Sequence, residues 1–147
     1  MYPDELREQI ERDMKLVMTI KNAMVDATDY FNQLKRLGEE DYFGSDFDKQ
    51  VRMTTYALNM TIQIIGETVI KFSNDYNDNY LDGIDALKIY KARNIISHAY
   101  EAVDMNIVGA IVDGYLPDID RGIDMFRIDL RNMCAIFPRK IKNKLKF

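Results

Sequence analysis

Eight consecutive residues, Arg93-Asn94-Ile95-Ile96-Ser97-His98-Ala99-Tyr100, form the one compact cluster of polar side-chain types in an otherwise apolar helical stretch. His98 is the sole histidine. Imidazole has an ordinary pKa of about 6.5, so it can both accept and give a proton near neutral pH. Arg93 is permanently charged, and its planar fork can hold two oxygens of a phosphate at once. Asn94 could orient His98 or a phosphate oxygen, with Ser97 a weaker candidate for the same work. Each residue also has a plainer use. His98 could be a surface or interface histidine, Arg93 an ion-pair partner of Glu67 or Glu101, and Tyr100 a ring packed between helices.

Spacing decides how far these groups can cooperate. On a helix, Asn94 and His98 are four residues apart, as are Arg93 and Ser97, so two adjacent faces become polar. Arg93 and His98 are about 140° apart around the axis. A long arginine bridges that only in part. Two copies of the helix apposed across a twofold axis would line one cleft with two Arg and two His, with no further sequence requirement.

The elements that must position this cluster are helical. Pro3 followed by Asp4, Glu5 and Glu8 reads as a helix start, because proline suits the first turn and acids complement the positive end of the helix dipole. Leu6, Ile10, Val17, Ile20, Met24, Ala27, Phe31 and Leu34 supply its apolar stripe, and Gly38 is expected to stop it. Ser45 or Asp46 can cap a second helix, with a stripe of Val51, Leu58, Ile62, Ile65, Val69 and Phe72, ending near Phe72. Ser73 to Gly83 is rich in Asn and Asp and predicts a loop. A third helix is expected from about Ile84 to Tyr100, carrying Leu87, Ile95 and Ile96. Asp104 can cap a fourth, starting at Met105. Pro117 deletes a backbone donor, which predicts a kink or brief break before the helix resumes through Ile119, Ile123, Phe126 and Leu130. Pro138 ends it. With no alternating strand pattern, the chain predicts one all-α domain over 1–147, an antiparallel up-down bundle of four to five helices. Gly66 costs about 1 kcal/mol in mid-helix relative to Ala and is read as a point of close helix approach.

Arg93-x4-His98-x-Tyr100 resembles the signature of the HEPN ribonucleases, and in particular the HepT-like toxins of MntA/HepT toxin–antitoxin pairs. The resemblance extends to Ile64-Ile65-Gly66-Glu67 in the second helix, Val103-Asp104, and Leu116-Pro117, together covering roughly residues 50 to 120. The chain departs from the pattern at Asp85-Ala86, where the family commonly has Pro-Trp, at Gly109, where it has Trp, and at Met60, where it often has Arg. The resemblance implies a metal-independent endoribonuclease in which the ribose 2'-hydroxyl attacks the neighbouring phosphorus, leaving a cyclic phosphate and a 5'-hydroxyl. Arg93 and His98 would be catalytic in a homodimer cleft. Asn94, Ser97 and Glu67 would support them. Tyr100 would be the residue that a partner MntA-like nucleotidyltransferase antitoxin modifies with AMP. The alternative is a catalytically silent HEPN module that docks a nucleotidyltransferase or binds a nucleotide.

Composition limits the other possibilities. The chain has 147 residues, 47% hydrophobic and 30% charged, with one cysteine, Cys134, and one histidine. One cysteine excludes an intramolecular disulfide, and one histidine excludes a two-histidine zinc motif or a di-iron carboxylate bundle. No cofactor or metal is expected. No apolar run approaches the roughly 18 residues of a membrane span, and Met1-Tyr2-Pro3-Asp4-Glu5 lacks the layout of a signal peptide, so a cytoplasmic setting and no membrane partner are expected. The net charge is −4, but residues 1–130 hold 14 Lys/Arg against 24 Asp/Glu, while residues 131–147 hold six basic residues and no acid. The body is acidic. The basic tail, about 138–147, could attract an RNA backbone by counterion release, or could simply be solvated.

Overall fold

The computed structural model describes residues 3–39, 45–76, 80–81, 84, 89 and 105–134. These residues are helical almost throughout, with no strand among them. Helix α1 spans Pro3–Glu39, with Asp4 and Glu5 in its first turn as dipole and proline placement require. It runs through Gly38, one residue past the expected stop. Helix α2 spans Ser45–Tyr76. It continues four residues into the stretch read as a loop, Ser73 to Tyr76. The fully buried Phe72 anchors its last turns, and packing outweighs the weak helix propensity of Asn and Asp. Helix α3 (Met105–Gly109), a π-helical turn (Ala110–Tyr115) and helix α4 (Leu116–Cys134) follow one another directly.

The apolar stripes face one another as their 3.6-residue period demands. Ile10, Val17, Ile20, Met24, Ala27, Phe31 and Leu34 of α1 pack with Leu58, Ile62, Ile65, Val69 and Phe72 of α2, and with Ile119, Ile123, Phe126 and Leu130 of α4. Leu6 and Val51 are half-buried at the edge. Full burial of one such side chain is worth about 1.5–3 kcal/mol, so the three-sided core is what holds these long helices together. Only five residues separate α1 from α2, and α2 turns back beside α1. Phe31 lies 3.5 Å from the place a Cβ on Gly109 would take, while Lys21 pairs with Asp120 and Asp124. Contacts therefore move down α1 as they move up the third rod, and that pair is antiparallel too. Three long helical runs are described where four to five helices are expected; most of the expected third helix lies outside the described residues. Ile84, its expected start, stands outside any helix and donates its amide to the Leu81 carbonyl at 3.2 Å.

Near Pro117 the helix does not break. It widens. The Leu116 amide donates to the Ile111 carbonyl, five residues back, and the backbone stays helical at both edges of the turn, with φ/ψ of −61°/−39° at Gly109 and −61°/−41° at Leu116. The register change restarts the α-helix at Leu116, so Pro117 falls in a first turn, where a missing N–H costs little.

Candidate functional site

Arg93, Asn94, Ser97, His98 and Tyr100 lie outside the described residues, as do Val103-Asp104 and Asp85-Ala86. The structure describes the frame on either side of them. Ile89, four residues before Arg93, is helical and fully buried in the shared core. The segment leaves at Met105, which is half-buried against that same core at the start of α3. Ile89 and Met105, the described residues on either side, thus both pack in the α1–α2–α4 core.

Glu67, expected to be a supporting carboxylate, lies within the described residues. It is exposed on α2, and Gln63 one turn earlier donates its Nε2 to Oε1 at 3.1 Å. In the run Ile64-Ile65-Gly66-Glu67, Ile65 and Gly66 are buried, while Ile64 and Glu67 face outward. Gly66 is buried, as a point of close approach requires. Glu67 closes an exposed stripe that also includes Met53, Tyr56 and Met60, residues that share one helix face by their three- and four-residue steps. In the run Leu116-Pro117, Leu116 is buried and Pro117 is exposed beside a cavity.

Two cavities lie along α1. One, of about 510 Å³, lies between α1 and the π-helical turn and is lined by Lys21, Met24, Val112, Leu116, Pro117 and Asp120, among others. Lys21 spans its edge, with Nζ 2.5 Å from Asp120 and 2.7 Å from Asp124. Burial lowers the Lys21 pKa, but hydrogen bonds and charge from the two carboxylates outweigh it, and the ammonium is held above its ordinary range. The other cavity, of about 580 Å³, lies along the first half of α1 and is lined by Gln9, Arg12, Asp13, Lys15, Leu16, Thr19 and Lys71. Among the described residues, no group of His, Cys, Asp and Glu is placed to hold a metal ion, and no helix is long and apolar enough to cross a membrane.

Tyr80 was not singled out by the sequence. Its hydroxyl donates to Asp129 Oδ2 at 2.6 Å, and its ring meets Phe72 and Phe126 edge-on at 6.0 and 5.1 Å. The hydrogen bond to Asp129, then burial and the carboxylate charge, push the phenol up to about 12. Tyr80 pins the stretch after α2 onto α4, upstream of the chemical segment. Asn- and Asp-rich neighbours hid it, because its partner is 49 residues away.

Compared with known proteins, the chain matches a family model, described as "Ribonuclease HepT-like", over residues 20–126. That span takes in α2, the whole Arg93–Tyr100 segment and the π-helical turn. No curated protein and no solved structure matches the chain.

Proposed function

The chain belongs to the HepT-like ribonuclease family, and on that basis we propose that it is the endoribonuclease toxin of a toxin–antitoxin pair, cutting RNA without a metal ion. His98 moves protons at the 2'-hydroxyl and the leaving 5'-oxygen, a task suited to an imidazole that titrates near neutrality. Arg93 holds the charge that develops on the phosphorane, where a forked, permanent cation gains most as the charge grows. Two copies of the segment, brought together in a homodimer, form the cleft. Asn94, Ser97 and Glu67 support it, and Glu67 begins with its carboxylate already held by Gln63. A cognate nucleotidyltransferase in the same cytoplasm silences the protein by attaching AMP to Tyr100. Tyr100 is two residues from His98, and each added phosphate would compete with RNA for the Arg93 fork.

One observation carries this reading: the family match runs over residues 20–126, a span that includes Arg93 and His98. Product chemistry tests it. RNA cut by the purified protein in EDTA is expected to end in a 2',3'-cyclic phosphate on one side and a 5'-hydroxyl on the other. Ends bearing a 5'-phosphate would contradict the mechanism.

The second reading, a silent module that docks a nucleotidyltransferase or a nucleotide, is favoured by the acidity of residues 1–130. It predicts tight association with the nucleotidyltransferase and no RNA cleavage at any salt concentration.

A further inference from the structure

An acidic chain that binds RNA needs a place where its own field is locally reversed, because the phosphate backbone supplies most of the binding energy through release of its counterions. The cavity between the first half of α1 and the end of α2 has that character. Arg12 and Lys15 from α1 and Lys71 from α2 all line it, and all three are exposed. None of the three forms an ion pair with a described carboxylate, whereas Arg7, Lys21, Arg121 and Arg127 each do. The lining holds one carboxylate, Asp13, which is buried, and offers the Thr19 hydroxyl and the Gln9 amide as hydrogen-bonding groups. Glu8 and Glu11 stand one turn before Arg12 and Lys15 but do not line the cavity, and Glu11 is turned toward Arg7.

We infer that this groove, through Arg12, Lys15 and Lys71, binds the phosphodiester backbone of single-stranded RNA. The inference rests on the ribonuclease reading for the identity of the polymer, but the groove's chemistry is separate from Arg93 and His98. Its volume of about 580 Å³ falls in the range of small-ligand sites, which run from about 300 to 1,000 Å³. The groove engages one stretch of backbone, and the rest of the strand runs beyond it. Its three cations address phosphate oxygens, which carry no sequence information, so this part of the binding is independent of sequence. The sequence hid the groove because Arg12 and Lys15 follow three glutamates, Glu5, Glu8 and Glu11, on the same helix. Only the antiparallel pairing of α1 with α2 adds Lys71.

The test uses the full chain carrying His98→Ala and a fluorescent 2'-O-methyl oligoribonucleotide, which lacks the attacking hydroxyl. Binding is followed by anisotropy across a salt series. Losing three backbone contacts is expected to weaken binding roughly 50-fold at 0.15 M monovalent salt and to flatten the slope of log K against log salt by about 2. The groove variant is Arg12→Gln/Lys15→Gln/Lys71→Gln. The control, Arg36→Gln/Lys49→Gln/Arg52→Gln, makes the same change of charge at the other end of the α1–α2 pair and is expected to bind nearly as the parent does. A groove variant that binds like the parent, or a control that loses as much, overturns the proposal. Displacement of the oligonucleotide by inorganic phosphate or ATP at equal phosphate concentration also overturns it, by marking a small-anion site. Failure of the ribonuclease reading looks different: the chain with His98 intact leaves RNA uncut, while the groove's salt dependence persists.

Discussion

Tyr80 shows how one hydrogen bond makes stability depend on pH. Its phenol must keep its proton to donate to Asp129, and a phenolate there would face a carboxylate at 2.6 Å. The folded-state pKa, about 12, therefore lies above the ordinary value of 10.0. A raised pKa places the stabilisation on the acid side: it is present in full below pH 10 and is lost as pH rises toward 12. Thermal melts of wild type and Tyr80→Phe are expected to differ by a constant amount below pH 10 and to converge between pH 10 and 12. Parallel curves through that window would show that the hydrogen bond does not form. Lys21 titrates in the same alkaline direction, above its ordinary 10.5, but it is present in both proteins and drops out of the difference. At the proposed catalytic residues, Arg93→Ala is expected to cost roughly 3–4 kcal/mol of transition-state stabilisation, with a melting temperature close to wild type. Steady-state cleavage rates and a thermal melt check both parts. The chemical types of Arg93, His98 and Tyr100 were legible in the sequence. Tyr80 and the groove cations were not, since their meaning depends on partners brought together by folding.

Helix α4 carries the clearest dependence on a single glycine. A Cβ on Gly122 would lie 2.3 Å from the Tyr80 carbonyl oxygen and 2.6 Å from Leu81 Cδ2. Backbone cannot yield as a flexible side chain can, so Gly122→Ala forces Tyr80–Leu81 away from α4. Overpacking of this kind costs about 1–3 kcal/mol, against a gain of about 1 kcal/mol in helix propensity. Net destabilisation of up to about 2 kcal/mol in urea unfolding is expected, and a raised midpoint would show that the contact is not held in solution. The stripes of α1, α2 and α4 were readable because burial follows the helical period, and the core residues expected from them are buried almost one for one. The π-helical turn was not readable. Pro117 announces a disturbance, but whether a helix kinks, breaks or widens depends on what packs against it. Here Val112 and Leu116 stay in the core by widening. Helix α2 runs past Phe72 to Tyr76 for a related reason: Phe72 holds turns that local propensity would give up.

On the scale of the whole molecule, an acidic body, a local basic groove and a separate segment bearing Arg93 and His98 suit the proposed division of strand binding from cleavage. A homodimer that brings two such segments to one cleft is expected to bury at least the roughly 1,200 Å² of a specific interface and to run as a dimer by light scattering at micromolar concentration. A monomer that still cleaves would remove the need for a shared cleft. If the nucleotidyltransferase acts as proposed, incubation with it and ATP should add adenylyl mass to the chain, with none on Tyr100→Phe. An unmodified chain that is nonetheless silenced would place inhibition in binding alone.

The central claim is that His98 does proton-transfer chemistry on RNA with no metal ion taking part. The most direct measurement is cleavage of a defined RNA in EDTA by the wild-type chain and by His98→Ala at matched concentration and folding. Wild type is expected to cut, and the variant to be slower by about 10² to 10⁴, as for loss of a general acid–base. Equal rates for the two proteins, or activity that vanishes in EDTA and returns with magnesium, would contradict it.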